Sequence, residues 1–257
     1  MAYSQDFKTN SSASYMGGGC YQLTPDSTNV FGSIWNYNQI DLSKPFDFAF
    51  TMNFGTKDLW GADGSVFVIH NDPNGLNTTG FHGYALGAGF ITPMLGIEFD
   101  IYDNQAQTNE TGLDDHIAIF QNGNNDHGSA DMLSPAVEVG NIETGNYIDY
   151  RITWDPTTQN ISVYMNCILV LQLNHDIINN IFSGDTLVYW GFTGDTGGMS
   201  TYQNVCGLQT LPDTVEICLG DTIQLDASFY SGGIVWTPST NIDNAFSSTP
   251  KFNSLLS

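Results

Sequence analysis

Glu98, Asp100, Tyr102 and Asn104 alternate along LGIEFDIYDN, and on a β-strand such alternation puts all four on one face. Leu95, Ile97, Phe99 and Ile101 take the opposite face, which should be buried. Two carboxylates and an amide on one surface repel one another and resist burial unless something positive lies against them. A second strand-like run, LDDHIAI, follows shortly after, and the same parity groups Asp114 with His116. Carboxylate, amide and carbonyl oxygens with one imidazole suit a hard cation such as Ca2+, with a transition ion beside the histidine. The plainer alternative is a solvated strand edge whose acids only keep the protein soluble. A further carboxylate, Asp63, stands in the tight GADG turn at the mouth of SVFVI. Lys and Arg are too scarce to make an ion pair there, so its acceptor capacity is free for hydroxyl groups.

The segments that must position these residues read as short strands joined by turns. CYQLTPD gives a strand after a small, polar, irregular lead-in to Gly19, and GSIWNYNQIDL gives a second. FDFAFTMNFGT alternates, with Phe46, Phe48 and Phe50 pointing one way and Asp47 and Ala49 the other. SVFVI is a buried strand, while HGYALGAGF and FQNGNNDHGSADML read as loops. YIDYRITWDPTTQNISVYMNCILVLQL gives successive antiparallel strands turning at DPTTQN and near Asn166. No long apolar segment carries a helical period. Many short strands with turn signals between them predict an all-β, antiparallel β-sandwich of jelly-roll type. Composition shifts at LPDTVEICLGDT, after which DTIQLDA and GGIVWTPS start a new pattern with Trp236 as its aromatic anchor. Residues 211–257 therefore read as the start of an immunoglobulin-like β-domain, too short to be complete, after a first domain over 1–210.

The 257-residue chain carries 27 Asp and Glu against 5 Lys and Arg, a net charge of -22. This excludes nucleic acid and anionic membranes as partners and fits a secreted or cell-surface protein that binds cations. No apolar run reaches transmembrane length. The start, MAYSQDFKTN, has no basic segment leading into an apolar one, and we expect a chain that begins after a cleaved signal. Cys20, Cys167, Cys206 and Cys218 lack zinc-site spacing and, outside the cell, predict one or two disulfides. Trp35, Trp154 and Trp190 read as core residues and Trp60, just before GADG, as the exception. His82 could touch a ligand, and Asp126 and His127 lie in a loop that could swing towards the metal face. The N-x-[ST] triplets at Asn10, Asn77, Asn109 and Asn160 are glycosylation acceptors only in a host that glycosylates.

Four pieces in order, ADG at 62–64, EFDIYDN at 98–104, HIAI at 116–119 and GFTGDTGG at 191–198, resemble the L-type (legume-type) lectins, bacterial secreted members above all. The resemblance covers roughly residues 18–210 and implies a concanavalin-like sandwich that binds glycans without chemistry. It implies that Asp100, the Tyr102 carbonyl and Asn104 hold calcium, while Glu98 and His116 flank a second, Mn2+-like ion with Asp100 bridging. Asp63, held by a cis peptide, would accept hydrogen bonds from sugar hydroxyls. Gly83 would donate its N–H, Asn104 its NH2, and the loop of Gly194, Asp195, Gly197 and Gly198 would close the site. The family's second carboxylate ligand falls near Thr111 here, where the nearest acids are Glu110, Asp114 and Asp115; parity favours Asp114 for that role and adjacency to the histidine favours Asp115. The first and last strands of the lectin fold lie side by side, which implies a Cys20–Cys206 disulfide, leaving Cys167 free and Cys218 to the following domain.

Two other functions fit the same fold. Glu98, Asp100 and Asp103 spell E-x-D-x-x-D, close to the acid pair of β-sandwich glucanases, although alternation turns Asp103 away from Glu98. A surface spacer that has lost sugar binding would keep the fold and lose one loop contact.

Overall fold

The computed structural model describes residues 6–81, 83–110, 115–210, 222–225, 235–236 and 240–253. Two antiparallel sheets form the sandwich. The first runs Phe7–Ser11, Phe31–Asn36, Leu187–Asp195, Gly64–His70, Met94–Asp100, His116–Gln121 and Val137–Glu138, with Ile40–Asp41 also paired to Leu187–Asp195. The second runs Ile168–Asn174, Asn160–Met165, Ile148–Asp155, Phe46–Asn53, Gln203–Thr210, Cys20–Thr24 and Ser14–Gly17. Among the described residues the α-helices are two four-residue turns, Gln105–Thr108 and Ile177–Asn180. Thr222–Gln224 pairs with Lys251–Asn253 in the tail, where Trp236 is half-buried with its indole N–H on Ser247 O.

Alternation builds the core as expected. Phe48 and Phe50 point from the second sheet onto Trp190, Phe192, Phe67 and Phe99 of the first, with Phe48 stacked on Trp190 at 4.2 Å. Trp35, Trp154 and Trp190 are buried, whereas Trp60 is 65% exposed. Cys20 and Cys206 face each other across the paired strands and form the disulfide, and Cys167 is free and exposed. Cys218 lies outside the described residues.

Two expectations need correction. The lead-in is not irregular, because Phe7–Ser11 and Ser14–Gly17 pair with Phe31–Asn36 and Cys20–Thr24. The acid face of the Met94–Asp100 strand is not solvated either. Trp35, Val66, Val68, Met94 and Phe120 carry a second apolar cluster on the outer face of the first sheet, and Leu86, Ala88 and Ile91 cover it. The sheet is thus buried on both sides, and Glu98 and Asp100 are fully enclosed.

Candidate functional site

Register brings the acids together. Asp100 sits directly opposite His116 on one neighbouring strand and opposite Gly64 on the other, and Gly64 in turn pairs with Asp195. Asp63, Asp100 and Asp195 therefore end three adjacent strands at one rim of the sheet. Beyond Asp100 the chain turns through Tyr102, whose N–H donates to Asp100 Oδ1 at 2.9 Å, and enters the Gln105–Thr108 turn. The left-handed Asn109 ends that turn and sends Glu110 back inward. Glu110 is fully buried and accepts from Asn104 N at 2.7 Å and from Thr108 Oγ1.

Ligand atoms of Asp100, Glu110 and His116 all lie within 4.8 Å of one another, as do those of Glu98, His116 and His127. Burial pushes Asp100 well above the usual carboxylate range, and the charge of Glu110 adds to the shift. Burial raises Glu110 as well. For Glu98, burial acts upward too, but the His116 and His127 imidazoles hold it below its usual value. Burial works against charging His116, yet Glu98, Asp100 and Glu110 lift it to about 9. No Lys or Arg relieves these acids. Lys57 and Arg151 bind Asp26 and Asp47, Lys8 binds Asn77, Lys44 lies beside Asp41, and Lys251 is in the tail strand. Asp100 Oδ2, Asn104 Oδ1 and both Glu98 oxygens are enclosed without full hydrogen bonds. Enclosed oxygens without protein cations are what a divalent ion satisfies, so the residues fit a calcium site with a second ion beside it.

Asp63 follows a cis Ala62–Asp63 peptide and is 3% exposed, its N–H on Asp195 O and its carbonyl accepting from Ile101 N. The Asn104 amide and Gly197 N–H approach its carboxylate, yet Oδ2 keeps no full hydrogen bond. Burial raises it to about 6, and Glu110 adds to the rise. A Cβ at Gly197 would stand 2.9 Å from Asp63 Oδ2, so only glycine lets the loop come this close. Asn104 thus turns its amide towards Asp63 and leaves its Oδ1 enclosed without a hydrogen bond.

The remaining expected residues fall in three groups. Gly198 is exposed with open space around it, as a site-closing loop requires. Gly194 lies inside the Leu187–Asp195 strand, where a Cβ would collide with Gln203 and Leu23. Asp195 is enclosed, raised by burial to about 8, and its Oδ1 accepts the Gly83 N–H at 2.8 Å. The Gly83 amide expected for a ligand is therefore engaged within the protein. Asp115 turns away from the cluster: Ile142 N donates to its Oδ2 at 2.7 Å, and its charge acts on Tyr150 in the core. Asp114 and His82 lie outside the described residues.

Among the described acids it is Glu110, and not Asp115, whose carboxylate groups with Asp100 and His116. Glu110→Gln should weaken calcium binding by at least tenfold, on the order of what lost ligand support costs. Asp115→Asn should leave calcium binding within about threefold and destabilise the fold by about 1–3 kcal/mol, since Ile142 N loses its charged acceptor. Calcium titration calorimetry and thermal melts of the two variants separate the roles; the reverse pattern would return Asp115 to the metal.

The same architecture recurs among solved lectins. The lectin from Bauhinia forficata, determined with GalNAc, superposes with a TM-score of 0.66 at 21% identity over 80% of this chain and 92% of that one. Lectin I-B4 from Griffonia simplicifolia, in a metal-free form, gives 0.65 at 17% identity over 80% and 92%. The exoplasmic/lumenal domain of VIP36, with Ca2+ and Man3GlcNAc bound, gives 0.62 at 16% over 83% and 86%. At these identities the likeness shows the fold. The legume lectin beta-barrel domain model matches residues 1–208, most of the chain, and the chain belongs to the L-type (legume-type) lectin family.

Proposed function

We propose that this chain binds carbohydrate in a calcium-dependent manner, without chemistry on the sugar, as a module of a secreted or cell-surface adhesion protein. The observation that carries the reading is Asn104: its side-chain amide hydrogen-bonds Asp63, its Oδ1 is enclosed without a hydrogen bond, and its backbone N–H donates to Glu110 of the enclosed cluster. An ion on Asp100, Tyr102 O, Asn104 and Glu110 would fix that amide without touching sugar. Asp63 and the 197–198 loop would then meet the sugar hydroxyls. Exposed Trp60 before Asp63, and the mutually packed Phe81, Tyr84 and Phe90 on the loop carrying Gly83, offer apolar faces to a ring. The disulfide supports an oxidising compartment. A single site of this kind holds a monosaccharide weakly, on the order of millimolar, so repetition on a longer chain or oligomers would supply avidity. Residues 211–257 would begin a second, immunoglobulin-like β-domain.

The hydrolase alternative loses its acid pair. Glu98 is enclosed against His116 and His127, out of reach of a glycosidic bond, and Asp103 is exposed with its carboxylate on Gln105 N. A glycan array probed in calcium and in EDTA tests the proposal, with a reducing-sugar assay on β-glucans beside it. Calcium-dependent capture with no sugar release is expected. Capture unchanged in EDTA, capture of nothing by a calcium-loaded protein, or released sugar would overturn it.

A further inference from the structure

His127 belongs to no strand and to no piece of the sequence that resembles the family, yet its imidazole reaches the fully enclosed Glu98. Its backbone N–H donates to Thr108 O at 2.7 Å, which pins the loop after Gln121 onto the segment carrying Glu110. Asp126 strengthens the join by accepting from Asn109 Nδ2 at 2.6 Å and from Gly128 N at 2.8 Å. On the other side Asn125 Nδ2 donates to Tyr84 O, tying the loop to the 81–90 segment. The histidine is therefore held in place and has not swung in by chance.

Its Nε2 stands 3.2 Å from Glu98 Oε1, and His116 Nε2 stands 3.6 Å from the same oxygen. The two rings meet edge to face, with centroids 5.1 Å apart. Metal–ligand bonds of about 2.0–2.2 Å in a tetrahedral site separate neighbouring ligand atoms by roughly 3.3–3.6 Å, and the two observed separations lie close to the ends of that range. Glu98 is fully enclosed, and neither of its oxygens has a full hydrogen bond. His127 Nε2 is likewise enclosed without one.

We propose that His127 is a direct ligand of the second ion, outer to the inner calcium site, so that Glu98, His116 and His127 form a carboxylate–bis-imidazole face that takes a borderline ion of the Zn2+ class in place of an oxygen-preferring one such as Mn2+. One imidazole among carboxylates leaves a site hard enough for Mn2+. A second imidazole, replacing an oxygen donor, favours Zn2+, Co2+ and Ni2+, which bind nitrogen better. The proposal deepens the two-metal reading of the site and does not depend on sugar binding.

Competition titrations with Zn2+ and with Mn2+, on the full chain held in saturating calcium and without glycan, test it. His127→Ser should weaken Zn2+ by at least about 100-fold, beyond the usual cost of losing a supporting residue. Mn2+ affinity should change much less, so the Zn2+ to Mn2+ preference should fall by at least about tenfold. Calcium titration of the same variant shows whether the fold and the inner site survive, and His127→Asn serves as a second variant that keeps polarity. Zn2+ binding equal to wild type in a variant that still takes calcium would overturn the proposal and leave His127 as an ion-pair partner of Glu98. So would equal losses of Zn2+ and Mn2+ affinity. Intact Zn2+ binding overturns the proposal whether or not the variant still takes calcium.

Discussion

Stripping the protein of divalent ions should lower its melting temperature by roughly 5–10 °C, and the loss should be larger near pH 8 than near pH 5.5. An ion that binds only the folded state adds about 2.7 kcal/mol at one hundred times its dissociation constant, and a domain of this size moves about 2–4 °C per kcal/mol. The pH dependence follows from the raised carboxylates. Asp63 and Asp195 titrate at about 6 and about 8 in the fold, above the ordinary 3.8, so the fold binds their protons more tightly than the unfolded chain does. Metal-free stability is therefore greatest at low pH and falls as pH rises through those two values. Asp100 and Glu110 are shifted in the same direction. His116, lifted from 6.5 to about 9, contributes stability that is complete below 6.5 and lost as pH rises through 9. Glu98 is lowered and acts the other way, but only below its ordinary 4.5, outside this window. A bound ion offsets the repulsion between Asp100 and Glu110, so the loaded protein should lose less on the alkaline side. Thermal melts of dialysed and calcium-loaded samples at both pH values measure the effect, with elemental analysis confirming ion removal. Equal melting temperatures in the two samples would remove the metal from the account of stability.

Asp63→Asn should abolish glycan binding while leaving the melting temperature unchanged or slightly higher. The substitution replaces a charged acceptor with an amide, and hydrogen bonds to charged groups are worth about 1.5–3 kcal/mol each. Two such bonds lost from a site of on the order of millimolar affinity put binding beyond detection. The fold does not need the charge. Asp63 is enclosed near Asp195 and Glu110, and its ionised form is the costly one. An amide at this position relieves that repulsion, and its oxygen can still accept from Asn104. Calcium affinity should stay within about threefold, because Asp63 is not among the proposed calcium ligands and meets them through the Asn104 amide and the charge of Glu110. Array binding, calcium titration and a melt on one preparation separate the three effects. If the variant captured the same glycans with equal affinity, the sugar site would have to be sought away from the Asp63 rim.

Strand alternation alone determined which residues of the 94–104 and 46–53 segments face the core, because period-two geometry leaves a strand no other choice once one face is apolar. It also determined that Glu98 and Asp100 share a face, and the four ordered pieces placed Asp63, Asn104 and His116 on the rim where the structure has them. The lead-in strands were not legible, since KTNSSASYMGGG lacks apolar alternation and pairs only because Phe31–Asn36 and Cys20–Thr24 offer open edges. Glu110 stood among the nearest acids and His127 in a loop that could swing towards the metal face, but that both enter the enclosed cluster was not legible, for a related reason. Each comes from irregular backbone, where no period relates sequence spacing to direction. The left-handed turn at Asn109 sends Glu110 inward, and the bond from His127 N to Thr108 O aims the imidazole. The engagement of Gly83 by Asp195 likewise depends on a contact between residues 112 positions apart. Local patterning decides which way a strand residue points, whereas the direction of a loop residue is decided by hydrogen bonds to segments distant in the chain, and those exist only once the sheets have packed.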